Sequence, residues 1–380
     1  MGPMQISAAL VDEVNGPFTV RDIELDDPGP GEVLVRVVAS GVCHTDENTR
    51  RGNMPMPLPG VLGHEGAGVV TAVGAGVDSV AVGDRVVLGW PFCGGCANCL
   101  AGQPRYCERV GEAVVGGHRL LGPKAGQSGY RRADGTPVAG HFFGQSSFAT
   151  HSLAQANAVV RVPEEIPLEL VGPLACGIAT GAGAVLNTAR PQVGASLVVY
   201  GAGAVGLAAV MAATNTPATR IVAVDVHDSR LELARQFGAT DTINSTGVES
   251  VSEAVRERLG APADFALDCT GIISVVEQTI ATVGMRGTAI LIGGAPAGAT
   301  FTTDHFSTVF GKRIVGVLGG EGRSHVLIPA LIELYRQGRF PFDRLIQYYD
   351  FDQLEEAIAA SHRGEVIKPV VRISPEEQPG

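Results

Sequence analysis

The pattern of apolar and polar positions changes character once along the chain, near residue 177. Before that point, short apolar segments at 18–25, 32–40, 68–73 and 85–88 are separated by glycine and proline. Such spacing predicts the short strands of a β-rich, barrel-like domain. After it, apolar strands expected at 198–200, 221–225, 265–268 and 289–292 alternate with amphipathic helices at 229–237 and 250–259. Parallel strands need helical crossovers, so the second half reads as an α/β, doubly wound parallel sheet.

Beyond 308 the order is strand (313–318), helix (324–337), helix (352–360) and strand (366–373), which either extends that sheet or returns to the first domain. The stretch 112–140 is rich in glycine and charge without periodicity, and a long loop is expected there. Residues 197–213 are apolar throughout and approach bilayer length, but Gly201, Gly203 and Gly206 interrupt them. A buried strand running into a buried helix is expected, and no membrane span.

A chain of 380 residues is long enough for two domains, each with its own core. Its 28 basic and 39 acidic residues give a net charge of -11, which works against nucleic acid or an anionic membrane as a partner. Seven cysteines is an odd number in a chain that does not need disulfides, so thiolate ligation in a reducing cytoplasm is the better reading. The first ten residues carry neither the basic region nor the apolar run of a secretory signal.

Six of the cysteines divide into two sets. Cys93, Cys96, Cys99 and Cys107 form a compact run in which Gly94, Gly95 and Asn98 allow the backbone to wrap a metal. Four thiolates suit a closed structural zinc better than an iron–sulfur cluster or unligated thiols. Cys43 and Cys176 bracket a Gly-His-Glu triplet, and with His64 they suit a catalytic zinc that keeps one open position. Asp46 is placed to orient His64, Glu65 to put negative charge beside the metal, and Thr45 to relay a proton. Cys269 belongs to neither set and reads as a buried packing residue.

Residues 198–207 read as a strand, a turn of the form Gly201-x-Gly203-x-x-Gly206 and a helix start, with Asp225 ending the next strand. In that context the turn is a dinucleotide site, its glycines admitting a pyrophosphate and the acid accepting the ribose hydroxyls. Asp225 would repel a 2′-phosphate, and residues 226–228 include no arginine to offset it, so NAD is expected rather than NADP.

Together these motifs resemble the zinc-dependent medium-chain alcohol dehydrogenases, and residues 141–151 resemble the aryl or benzyl alcohol dehydrogenase branch. The resemblance implies a GroES-like catalytic domain formed by 1–177 and 309–380, with the structural zinc lobe at about 92–108 and a Rossmann NAD-binding domain at 178–308. It implies catalytic zinc on Cys43, His64 and Cys176, structural zinc on Cys93, Cys96, Cys99 and Cys107, and Thr45 as relay hydroxyl. It also implies Arg230 at the adenosine ribose, Val205 and Thr180 against the nicotinamide, and His44 and Lys368 on the pyrophosphate. Trp90, Phe142, Phe143 and Gly294 fall at substrate-cleft positions. Asn48 stands where liver-type members end the proton relay in a histidine.

The expected activity is hydride transfer between a primary aromatic or allylic alcohol and NAD, giving the aldehyde. An NADH-dependent reductase of aldehydes, imines or conjugated alkenes is the alternative, and a nucleotide-binding protein without turnover is a third reading. A dimer or tetramer with only small-molecule partners is expected.

Overall fold

The computed structural model describes residues 2–376. They form two compact units. One comprises the chain up to Cys176 together with Arg323–Ala330 and the stretch from Asp343 onward, and the other comprises Gly177–Gly322 and Leu331–Phe342.

The first unit is built on the strand Glu32–Gly41, nine of whose ten residues are buried. Val33 and Val35 pack into one apolar cluster and Leu34 into another, so both faces are covered. The strand pairs antiparallel with Gly66–Val73, with His151–Gln155 and, at its far end, with Lys368–Arg372. That last pairing decides where the tail goes: the chain's final strand returns to the first unit. The strand Ile346–Asp350 beside it was not expected, because its half-exposed residues show no clean alternation.

The stretch 112–140 is also more ordered than its composition suggests. It holds the short strands Tyr130–Arg131 and Pro137–Val138, of which the first pairs with Thr19–Leu25. Arg119, 2% exposed, anchors it with Nε donating to Glu32 (3.1 Å) and Nη2 to Asp26 (3.0 Å). These bonds cross more than eighty residues of sequence and leave no local pattern.

In the second unit six parallel strands lie in the order Asp241–Asn244, Arg220–Asp225, Ser196–Tyr200, Ala263–Asp268, Val283–Leu291, Arg313–Gly316. Numbered along the chain this is 3-2-1-4-5-6, the doubly wound dinucleotide-binding arrangement. The sixth strand corrects the expected boundary at 308, since residues up to 322 belong with this sheet. Four residues, none fully buried, carry too little pattern to show it. The helix Ala204–Ala213 is buried from Gly206 onward, which explains why it is apolar all round. Among the described residues no single helix is long and apolar enough to cross a membrane.

His141 opens a tight loop in the first unit with φ 58° and is buried, its Nε2 accepting the Gly129 N–H at 3.2 Å. Burial, and then the charge of Arg119, push the imidazole down to about 3. The unfolded chain takes up a proton near pH 6.5 that the folded chain refuses. This group therefore lowers stability as pH falls below 6.5, by about 1.4 kcal/mol per unit. In His141→Asn, which tolerates positive φ, the melting temperature should fall less steeply than in wild type between pH 6.5 and about 5. Equal slopes would show that this imidazole is not the group responsible.

Candidate active site

Cys43 follows the end of the central strand and precedes the helix His44–Arg50, whose first turn folds Asp46 back on the chain. Asp46 Oδ2 accepts the Cys43 N–H at 2.9 Å, while Oδ1 accepts the Gly63 N–H at 3.1 Å and lies 3.0 Å from His64 Nδ1. One carboxylate thus holds two segments that are twenty residues apart in sequence. Donation from Nδ1 leaves the Nε2 lone pair pointing inward, 3.2 Å from Cys176 Sγ. The ligand atoms of Cys43, His64, Glu65 and Cys176 all lie within 4.8 Å of one another.

The donor set fits zinc. Bonds of about 2.0–2.3 Å in a tetrahedron put neighbouring ligand atoms about 3.5–3.8 Å apart, a separation this cluster can reach with small side-chain adjustments. A hydrogen bond from Cys176, then His64 and Lys368, holds the Cys43 thiol well below its ordinary range despite burial. Burial lowers the His64 imidazole, but Asp46 and Cys43 outweigh it and raise it to about 10, a proton that coordination displaces. Thr45 Oγ1 lies 3.6 Å from Cys43 Sγ, at the edge of the cluster.

Lys368 is placed differently from the role the resemblance implies. It is 3% exposed, and its Nζ donates to both Glu65 oxygens (2.9 and 3.0 Å) and to the Val42 carbonyl (3.1 Å). Three acceptors engage all three ammonium protons, so in this arrangement it neutralises Glu65 rather than presenting a free charge to a pyrophosphate. His44 is exposed and stacks on His362, with ring centroids 6.1 Å apart.

The segment 141–148 supports His64, and most of its work was not legible in the sequence. Gln145 is fully buried, and its Nε2 donates to the carbonyls of His64 (3.0 Å) and Leu88 (2.9 Å) while its Oε1 accepts the Gly66 N–H (2.9 Å). Ser146 Oγ accepts the Phe142 N–H and donates to the Val61 carbonyl. His141, Phe143 and Ser146 all have positive φ, a strained path that this hydrogen bonding enforces. A run of glutamine and two serines after two phenylalanines was the available signal, but only the fold shows which backbone it saturates.

Of the expected substrate-pocket residues, Phe143 stacks on the His64 ring (4.4 Å, 24°) and Trp90 packs edge-on against Phe143 (4.7 Å, 69°). Phe142 has no exposed surface and meets His64 edge-on at 5.5 Å, so it backs this wall and does not line it. Gly294 belongs to the other unit.

Cys93, Cys96, Cys99 and Cys107 also bring their Sγ atoms within 4.8 Å of one another. Cys93 and Cys99 Sγ are 3.9 Å apart, matching the roughly 3.8 Å of tetrahedral zinc–thiolate geometry. Backbone N–H groups of Cys93 and Cys96 donate to the sulfurs of Cys107 and Cys93, at 3.4 Å each. The set is complete with four thiolates and suits a closed zinc. Cys269 is half-buried rather than fully buried, and burial pushes its thiol up.

In the second unit Gly201 has φ +89°, and a Cβ on Gly206 would stand 1.8 Å from the Gly201 carbonyl oxygen. A Cβ on Gly203 would meet nothing within 4 Å. The turn therefore needs Gly206 for its own packing, whereas Gly203 leaves open space of the kind a pyrophosphate fills at a helix N-terminus. Asp225 accepts the N–H groups of Ala202 (2.6 Å) and His227 (2.9 Å), which fixes the acid at the mouth of the turn with Arg230 Nη1 4.0 Å away. Thr180 lies in the helix Gly177–Gly183 and Val205 in the first turn of the helix that the glycines open.

The family model for the alcohol dehydrogenase GroES-like domain matches residues 29–164, and that for zinc-binding dehydrogenases matches residues 204–336. The chain is 40% identical over 370 residues to a geraniol dehydrogenase of Castellaniella defragrans, covering 96% of each chain. The chain belongs to the zinc-dependent medium-chain alcohol dehydrogenases. An S-(hydroxymethyl)glutathione dehydrogenase of Paracoccus denitrificans is 36% identical, over 97% of this chain and all of that one. The crystal structure of benzyl alcohol dehydrogenase from Acinetobacter calcoaceticus superposes with a TM-score of 0.91 at 40% identity, over 98% of this chain and 100% of that one.

Two outcomes follow for this dehydrogenase. Gly206→Ala should destabilise the nucleotide-binding unit by at least about 2 kcal/mol, while Gly203→Ala should leave the melting temperature near wild type and weaken NAD binding measured by titration calorimetry. Equal loss of stability in both would contradict the assignment. Asp46→Ala should lower affinity for the zinc at Cys43, His64 and Cys176 by roughly 10- to 100-fold in a chelator competition, with the four-cysteine lobe retaining its metal.

Proposed function

We propose that this dehydrogenase oxidises primary alcohols whose carbinol carbon is benzylic or allylic, with NAD as hydride acceptor. The observation that carries the reading is the aromatic wall of Phe143 and Trp90 built directly on the His64 imidazole. A flat, unsaturated substituent buries well against such a wall. Two of the relatives act on geraniol and benzyl alcohol, which share that feature.

When bound, zinc supplies Lewis acidity that lowers the pKa of an alcohol hydroxyl. The protein's part is to hold the ligands and move the proton. Asp46 fixes the His64 tautomer, and Thr45 Oγ1 takes the hydroxyl proton as it gives up its own, which, with no titratable group on Asn48, leaves through water rather than an imidazole. A nicotinamide bound in this unit would supply the hydride acceptor, and Asp225 at the end of its strand would favour the unphosphorylated ribose of NAD. Six cysteines grouped to ligate metal as thiolates, rather than paired as disulfides, favour a reducing, cytoplasmic compartment.

The test is an NADH absorbance assay with benzyl alcohol, geraniol, ethanol and S-(hydroxymethyl)glutathione. Benzyl alcohol and geraniol should exceed ethanol in kcat/KM by at least about tenfold, through the apolar area they bury. Faster turnover of the glutathione adduct would overturn the substrate reading. In the same assay Asp225→Ser should raise kcat/KM with NADP by roughly tenfold or more and lower it with NAD.

A further inference from the structure

Three side chains outside both ligand sets stack continuously onto His64. The guanidinium of Arg105 lies over the Trp90 ring, 4.5 Å from its centroid. Trp90 meets Phe143 edge-on, and Phe143 lies nearly parallel to the imidazole. Arg105 is 6% exposed and sits in the short helix Pro104–Tyr106, between the third and fourth cysteines of the lobe. Its Nη2 donates to Ser324 Oγ at 2.9 Å. Among the described residues its Nε and Nη1 have no hydrogen-bond partner.

A buried guanidinium with two unpartnered nitrogens is unfavourable, and an apolar side chain of similar length would serve packing as well or better. What the guanidinium adds is a flat, charged face that the indole attracts. Its backbone is held by the fold of the lobe, since Cys107 is two residues further on and Cys99 six residues before.

We infer that Arg105 is a positioning residue for the reaction: it clamps Trp90 and, through Phe143, holds the His64 ring, so the reactive site takes its geometry partly from the four-cysteine lobe. The lobe is then more than a local brace. Loss of its metal would free Arg105, loosen the aromatic wall and let the His64 ring turn. The inference rests on the metal reading of Cys43, His64 and Cys176 and is independent of which alcohol is the substrate.

Trp90 is the only tryptophan of the chain, so its emission reports on the stack without labelling. Holoenzyme carrying Arg105→Leu should fold with unchanged metal content and melting temperature, yet shift Trp90 emission. With cobalt at the catalytic site, the same variant should shift the visible absorption bands. Its kcat/KM for benzyl alcohol should fall roughly tenfold, the size of a desolvated cation–π contact. Arg105→Lys keeps the charge over the ring and should recover part of all three signals; it also carries the comparison if the leucine variant is unstable. Unchanged emission and unchanged cobalt bands in a folded variant would overturn the inference. A wrong substrate assignment would instead abolish the alcohol signal in wild type and leave the two spectroscopic shifts in place.

Discussion

The Asp46 carboxylate is the interaction on which the rest of the reactive site depends. It has no exposed surface, and a carboxylate in that position is stable only if its oxygens are saturated. Here two backbone N–H groups and the His64 ring do so. The same three bonds join the segment carrying Cys43 to the segment carrying His64 and choose which imidazole nitrogen is free for the metal. Desolvation and ligand geometry are therefore solved by one group.

Around that group the first unit is layered. Gln145 saturates the His64 carbonyl and the Gly66 N–H, and the strained loop that carries it turns Phe142 and Phe143 onto the imidazole. Glu65 and Lys368 form a buried pair behind the ligands, bringing a negative and a positive charge into the interior together. Such a pair adds little net stability, but removing either member would leave an uncompensated charge beside the metal. The stack from Arg105 to His64 adds a mechanical route from the four-cysteine lobe to the same ring.

The nucleotide-binding unit follows a different logic. Its central strands Ser196–Tyr200 and Arg220–Asp225 are buried on both faces and the helix Ala204–Ala213 is apolar throughout, so almost all its chemistry is backbone: a turn that tolerates no Cβ at Gly206 and leaves space at Gly203, and an acid held by two N–H groups. That arrangement suits a cofactor recognised by pyrophosphate and ribose.

The two groupings of candidate metal ligands, which the fold brings together, the glycine turn with Asp225, and the alternation of strands and helices were legible in the sequence. Thiolate spacing and glycine requirements are local, and a parallel sheet imprints a strong period on its strands. What only the tertiary structure decided are contacts between distant, weakly patterned segments: the return of Lys368–Arg372 to the central strand, the membership of Arg313–Gly316 in the parallel sheet, and the ordering of 112–140 by Arg119. The bracing of His64 by Gln145 and the pairing of Lys368 with Glu65 belong with them. Each of these is a long-range hydrogen bond, ion pair or strand pairing whose partners are set by packing. A buried amide or ammonium takes whichever acceptors the fold brings to it, and no one-dimensional pattern of residues names them.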